Sequence, residues 1–415
     1  MRHPAVVGLA ALQSALFAAA ATAATDQEAP AEPTGWRFAP FAATRGAFEI
    51  RLRGLLQVDG RSFPNWNTDE GARDSELELR RSRIGAEMRW GGLGLEVEVD
   101  PHDDDEKVKD LNVTFKASKA FGLRAGRAKL PTSPERLRSG ARTDFVERSL
   151  LATHLAADRD WGFMALGALG KRLSYQAGVF TGDGQSAAAR AGTTLAARAA
   201  VDLPRRLAFG ASFSQGDVMA EPDRSREEAR PNGLEGEAAA GFTFFERHYV
   251  NGRRRRMGVD GSWGIGGASL KAEVLEVLEE RRGQGPLCEG LTCEDLSEEV
   301  GLGWSVTGTF VVRGKLKRRA PESAGALELA ARYESLAFDD RRPTTPFESL
   351  IDRARNIRPA GVRAFSGGAS FWPLPWSRVM ANVVLERYRD PLTAPEPGRL
   401  GTYVTFVVRL QMRLP

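Results

Sequence analysis

Between Glu76 and Gly184 the chain repeats one pattern, short runs in which apolar and charged residues alternate with a period of two. From Arg81 to Trp90, Ile84, Ala86, Met88 and Trp90 fall on one parity while Arg81, Arg83, Glu87 and Arg89 fall on the other. The split recurs in Leu93 to Val99, where Leu93, Leu95, Val97 and Val99 alternate with Glu96 and Glu98, and again in Leu111 to Ala117, Phe121 to Ala125 and Leu173 to Val179. Successive side chains of a strand point to opposite faces, so each run is a ribbon with one apolar and one polar or charged face. Such ribbons could line a soluble sandwich. A charged lumen behind a lipid-facing exterior fits their recurrence better, and about ten residues is the length that a tilted membrane-crossing strand needs. The expected fold class is all-β, a transmembrane antiparallel barrel.

Between Lys129 and Asp160 the alternation breaks, and Pro131, Pro134, Arg136, Arg138, Arg142, Arg148 and Arg159 crowd a segment too irregular for a strand. In a wide barrel an insert of this kind can fold inward as a constriction loop, where its charges meet every passing solute. Arginine there would attract anions, because guanidinium is always charged and offers a planar fork of donors to phosphate and carboxylate oxygens. The pore-lining, anion-binding candidates are Arg136, Arg138, Arg142 and Arg148 on the insert, and Arg51, Arg53, Arg81, Arg83, Arg89, Lys116 and Arg124 on the facing wall. In the competing reading they pair with Glu87, Glu96, Glu98, Asp144 or Glu147 and fill the lumen with salt bridges, as charges of both signs line barrel interiors.

The 415 residues carry a formal charge of +4, and arginine greatly outnumbers lysine. Codon bias explains such an excess as well as function does, so placement carries the argument rather than count. Beyond the N-terminus no apolar run of about 18 residues could cross a membrane as a helix. Residues 1–24 read as a secretory signal peptide, with small residues before cleavage after Ala23 or Ala24, followed by a flexible lead-in over 25–46 and a barrel over 47–415. The closely spaced Cys288 and Cys293 suggest a disulfide staple in an oxidising compartment. Zinc is the weaker reading, since no second pair or nearby histidine completes a site. The run from His102 to Glu106 lacks the Gly-spaced calcium loop and reads as a solvated loop. Arg253 to Arg256 is a weak nucleic-acid footprint, so neither a nucleic-acid partner nor a metal or other cofactor is expected.

Further strands are expected at Phe48 to Val58, Leu195 to Val201, Leu207 to Phe213, Gly236 to Phe245, Ser269 to Leu278, Val300 to Val312, Gly361 to Trp372, Arg378 to Tyr388 and Tyr403 to Leu410. Gln215 to Asn232 reads as an exposed loop. About 23 residues per strand and connection gives roughly sixteen strands, an even number as bacterial barrels require. Pro415 cannot donate to a ladder, which makes Leu410 or Met412 the expected last paired residue.

The wording of several segments is also familiar. "LELRRSRIGAEM" with Arg80 and Arg81, Phe145 with Glu147 to Ser149, Arg159 to Gly162, Tyr175 to Gly184, and "GALELAARYESL" with Arg332 together resemble the phosphate-selective porin O and P family. With gaps, the resemblance runs from Phe48 to Leu410. It implies a sixteen-stranded barrel in the outer membrane lipid, assembled as a homotrimer, that passes phosphate-like anions along arginines and lysines. Arg81 and Arg148 sit in matching motifs. One departure is the end of the chain, Met412-Arg413-Leu414-Pro415, where such barrels usually carry an aromatic residue. The expected function is passive uptake of small anions such as phosphate or polyphosphate, with a nonspecific or carboxylate- or sugar-conducting channel as the alternative. A barrel enzyme would need a nucleophile and a base, yet outside the signal peptide only His102, His154 and His248 remain, none in a Ser/His/Asp signature. A purely structural barrel would have no open lumen.

Overall fold

A computed structural model describes residues 37–414 apart from 69–70, 73–74, 105, 185–189, 220–230, 285–293, 318–319, 322, 343–354, 397 and 399–400. The expected signal peptide, the start of the lead-in, most of the loop expected over Gln215 to Asn232, and both cysteines lie outside the described residues.

Sixteen antiparallel strands close into a barrel. They are β1 (Phe48–Ser62), β2 (Glu76–Trp90), β3 (Leu93–Val99), β4 (Val108–Lys116), β5 (Gly122–Lys129), β6 (Arg159–Leu169), β7 (Leu173–Phe180), β8 (Arg190–Leu203), β9 (Leu207–Met219), β10 (Gly252–Ile265), β11 (Ala268–Arg281), β12 (Leu296–Arg313), β13 (Ala326–Asp340), β14 (Ala360–Trp372), β15 (Ser377–Tyr388) and β16 (Tyr403–Leu414). Each pairs with its sequence neighbour, and β16 pairs back onto β1. Alternation sets the two faces. Ile84 is 63% and Trp90 66% exposed on the outside, whereas Gln57, Asp59 and Arg409 are fully buried inside. Apolar residues outward and polar residues inward is the arrangement that lipid demands, and closure leaves no unpaired edge in hydrocarbon. Connections at one end are mostly short, as at 91–92, 170–172 and 266–267, with 314–325 the exception, and those at the other end run to eight residues or more. In bacterial barrels the long loops face outward from the cell.

Three local features differ from the expectations. Residues 37–45 of the lead-in are ordered: Arg37–Ala39 and Ala42–Arg45 form a hairpin whose second strand pairs with β1 from Ala42↔Arg51 to Arg45↔Phe48. The last strand runs two residues further than Met412, to Leu414 opposite Gly54. There the absent side chain of Gly54 leaves room for Leu414. Gly236 to Phe245 is not a barrel strand but a miniature hairpin, Gly236–Glu237 against Thr243–Phe245, set within the long loop between β9 and β10. The run is long enough to cross the wall, but it turns back on itself halfway, where the Gly241 amide donates to Ala238 O at 2.9 Å and Gly241 takes a φ of 77°.

A β-bulge in β2 has consequences for the lumen. Gln57 faces Arg81 and the next residue of β1, Val58, faces Leu79, so Arg80 is the extra residue. A bulge resets parity. Leu77 and Leu79 therefore point outward, as Ile84 does, although their positions are odd and Ile84's is even. Arg80 and Arg81 are thereby both turned inward.

Candidate functional site

The insert between β5 and β6 folds into the barrel. It contains a short helix α1 (Pro134–Leu137), a 3-10 turn (Gly140–Arg142) and a second short helix α2 (Leu150–His154). Pro134 starts α1 and the Ser133 side chain caps the Arg136 amide, a usual N-terminal arrangement. Between these turns the backbone is irregular. Its carbonyls have no helical partners and must be satisfied from outside.

Donor-only side chains of the wall satisfy them. Arg378 Nη1 donates to Thr143 O at 2.8 Å, Arg409 Nη1 to Val146 O at 2.6 Å, Arg332 Nη1 to Glu147 O at 3.1 Å and Arg256 Nε to Leu155 O at 2.8 Å. Lys129 Nζ donates to Arg136 O at 2.6 Å and to Arg138 O at 2.9 Å. Gln57 and Gln411 hold Gly140 O and Ala141 O, each at 3.2 Å. Acceptors on the wall take the amides, Val146 N on Asn382 and Leu150 N on Glu334. Arg409 also grips Asp59 through two nitrogens, and both side chains are fully buried. Phe145 lies under the Arg332 guanidinium at 4.7 Å.

Above this clamp the mouth on the β11 to β16 side is sealed with apolar groups. Leu150, Leu151 and Leu155 of the insert, Leu234, Phe244 and Phe245 of the β9–β10 loop, Phe63 and Trp66, and inward residues such as Leu275, Phe338, Tyr388 and Tyr403 form one buried cluster. Phe245 stacks on Phe338 at 4.2 Å. Buried carboxylates fix the loop's backbone: Ala239 N donates to Glu386 at 3.1 Å, and Leu234 N to Glu279 at 3.1 Å.

On the opposite side, the insert faces β1 to β7 across open space. A cavity of about 220 Å3 is lined by Arg53, Arg83, Arg124, Lys129 and Arg159 with Glu96, Glu98 and Asp110, closed by Leu137 and Ser139 of the insert. A second of about 140 Å3 adjoins it, lined by Arg53, Arg83, Arg142 and Arg413 with Glu98. Around the two together stand seven cationic side chains and three carboxylates. At the short-turn end a recess of about 720 Å3 carries Lys116, Lys119, Gln176 and Arg198.

The candidate residues divide accordingly. On the insert, Arg136 pairs with Asp158. Arg138 lies 3.2 Å from Asp144, which also takes Lys271 at 2.6 Å. Arg148 donates to Arg138 O at 2.9 Å and Glu135 O at 3.3 Å, so it staples the insert to itself. Burial, with Arg136 close by, pushes its guanidinium down to about 10. Arg142 has no ion-pair partner among the described residues and borders the second cavity. On the wall, Arg53 pairs with Glu96, and Arg83 with Glu98 and Asp100, each at 3.0 Å, yet both line the cavities. Arg124 donates to Thr114 at 3.1 Å at the cavity's edge. Arg81 donates to Gln57 at 2.7 Å and packs against Gly140. Arg51 and Arg89 are exposed near the short-turn end, paired with Glu49 and Glu87 of their own strands. Lys116 lies in the recess at that end.

Half-buried Glu147 collects positive charge, with Arg61 at 2.9 Å, Arg409 at 3.6 Å and Arg80 at 3.8 Å. Burial alone would raise its pKa, but these arginines hold it down at about 2. Asp103 and Glu106 of the acidic run are paired with Lys109 and Arg127, and no group of metal-ligating residues forms among the described residues. Arg254 and Arg256 of the basic run lie buried beside Asp183 on alternate positions of β10, as period two requires. The clamp residues Arg256, Arg378 and Arg409 escaped the sequence reading as site residues. Their signal was available, because each lies on the inward parity of its strand.

OmpT of Vibrio cholerae (in-vitro folded) is similar at 13% identity and a TM-score of 0.57, over 89% of this chain and 99% of that one. An anion-selective porin from Comamonas acidovorans is similar at 13% identity and 0.53, over 88% and 100%. The outer membrane channel DcaP of Acinetobacter baumannii is similar at 11% identity and 0.57, over 89% and 98%. At these identities the likeness is one of fold. No curated protein sequence matches the chain. The family model described as phosphate-selective porin O and P matches residues 48–414, from the first residue of β1 to the last of β16. The fold and the family are those of an outer-membrane porin channel. With sixteen strands closed around an inward-folded insert and a match over nearly its whole length, the chain belongs to the phosphate-selective porin O and P family.

Proposed function

We propose that this porin conducts small anions, phosphate or polyphosphate among them, through the gap between the insert and the β1 to β7 wall, and that it does so as a homotrimer. The observation that carries the reading is the excess of cationic side chains around the two cavities beside the insert, with Arg142 free of any carboxylate among the described residues. A low-dielectric wall focuses such a field, raising local anion concentration and opposing cations. Arg53, Arg83, Arg124 and Arg142 line this path. Arg136, Arg138 and Arg148 position the insert, and Arg81 supports it from behind. Among the structural neighbours, the Comamonas acidovorans porin is named as anion-selective and one OmpT is described in a trimer form, which supports both parts of the reading by analogy. The mature chain is proposed to begin at Ala24 or Thr25, which N-terminal sequencing of outer-membrane material checks.

The test is a reversal potential across a planar bilayer under a potassium chloride gradient. Chloride should be preferred, and millimolar phosphate should compete with it and lower the current, because guanidinium offers paired donors to phosphate oxygens. Arg142→Ala should weaken that block while Arg341→Ala, an exposed residue paired with Glu298, leaves it unchanged. A reversal potential showing potassium preference overturns the reading while leaving the barrel intact.

A further inference from the structure

The outer face of the barrel carries a basic feature separate from the lumen. Arg363 on β14 and Arg387 on β15 stand directly opposite each other in the ladder. Both are exposed and share the outward parity of Phe365, while Val362 and Ala364 point into the buried cluster. Like charges facing each other across a ladder repel. Among the described residues neither arginine has a carboxylate within ion-pair distance. Arg387 Nε donates to Thr402 Oγ1 at 2.7 Å, and Arg389 beyond it lies 3.6 Å from Asp339.

One step toward the middle of the wall, the outward layer changes character. Tyr333 faces Phe365, Phe365 faces Leu385, and Leu385 faces Val404. Trp304 packs edge-on against Tyr333 at 5.4 Å. A groove of about 800 Å3 runs over both layers, bordered by Tyr333, Phe365 and Leu385 below and by Arg363, Arg387 and Arg389 above. The arginines lie near the long-loop ends of their strands, hence toward the outer leaflet. An aromatic layer under a cationic one marks the boundary between hydrocarbon and headgroups.

We propose that this groove seats one phosphorylated lipid of the outer leaflet. Its phosphate bridges Arg363 and Arg387, relieving their repulsion, and an acyl chain lies over Tyr333, Phe365 and Leu385. The apolar floor selects a lipid over free phosphate, because an inorganic ion has nothing to place there. The site lies on the opposite face of the sheet from the lumen and is independent of what the channel conducts.

Native mass spectrometry of the full-length protein in detergent, titrated with diphosphoryl lipid A, tests the assignment. Dephosphorylated lipid A and inorganic phosphate serve as the comparison ligands. One diphosphoryl lipid should stay bound and the dephosphorylated form should not, with inorganic phosphate failing to displace the lipid. The double variant Arg363→Gln/Arg387→Gln should bind about tenfold more weakly or worse, the loss expected when charge-assisted hydrogen bonds worth ~1.5 kcal/mol or more are removed. Arg363→Lys/Arg387→Lys should bind better than the glutamine variant, which keeps the test valid if removing both charges prevents folding. Arg205→Gln/Arg206→Gln, the same loss of charge at the short-turn end, should bind as the unaltered protein does. Equal retention of the two lipids, displacement by inorganic phosphate, no effect of the glutamine changes, or an equal loss in the Arg205/Arg206 variant would each overturn the proposal.

Discussion

Along β1 to β7 the insert looks across water-accessible cavities ringed by arginine and glutamate, whereas along β9 to β16 it is bolted to the wall by buried arginines and covered by an apolar cluster. The same side chain does different work on the two sides. Against β13, β15 and β16 the guanidinium faces peptide carbonyls of an irregular segment, and its donors satisfy a backbone that has no other partner. Against β1 and β2 it faces carboxylates and open space, where its field reaches a passing ion. Arginine in a lumen is therefore not in itself a binding site. What lies opposite decides whether it builds the constriction or lines it.

The largest effect should come from breaking the bolted side. Arg409→Ala with Arg378→Ala leaves Asp59 buried and removes the donors to Val146 O and Thr143 O. Breaking one buried pair costs about 3–5 kcal/mol. The variant should lose its heat-modifiable form at lower temperature and, if it inserts, show a larger and noisier open current. An unchanged current would mean that the insert is held from the other side. Next comes Leu151→Ala. This fully buried side chain packs against Gly303, and Leu→Ala cavities cost about 2–5 kcal/mol. Thermal unfolding should fall while ion selectivity stays, since the change lies on the sealed side.

Acid should act on the clamp through Glu147. Its folded pKa is about 2 against an ordinary value of 4.5, so its contribution is complete above pH 4.5 and lost as pH falls through about 2. Current noise should be flat from pH 7 to pH 5 and rise toward pH 2, and Glu147→Gln should remove that step. Arg142→Ala sharpens the contrast from the open side: stability should change by less than about 0.5 kcal/mol, as at other sites without buried partners, while the chloride preference declines measurably. The smallest effects belong to Arg51→Ala and Arg89→Ala. Each breaks an exposed pair within its own strand, worth roughly 0–1 kcal/mol, and the reversal potential should hold.

The barrel was legible because period two is a local property. Each ribbon from β2 to β7 announces its inward and outward faces without reference to any other part of the chain. The insert was legible for the converse reason, as a stretch where that period fails between Lys129 and Asp160. What local pattern could not convey is long-range pairing. Arg409 and Asp59 are 350 residues apart and meet only because β16 closes on β1. The bulge at Arg80 was hidden as well: strict alternation puts one of two adjacent arginines outside, and an extra residue turns both inward. The hairpin at Gly236 to Phe245 read as a wall strand because its aromatic and small residues suit burial in either setting.

The seam has a consequence for how the barrel finishes. Two segments far apart in the chain share one edge of β1: β16 takes Gly54 to Ser62, and the N-terminal strand Ala42–Arg45 takes Phe48 to Arg51. The second partner is only a tight turn away, so it can be in place before the closing strand arrives. Its presence then acts as a ruler. A β16 displaced toward the short-turn end would collide with an occupied edge, and one displaced the other way by a single residue would turn Arg409 toward lipid. The nine-residue span left vacant on β1, Gly54 to Ser62, admits the last strand in one alignment, so the N-terminal hairpin and the inward parity of Arg409 together set the register at which the barrel closes.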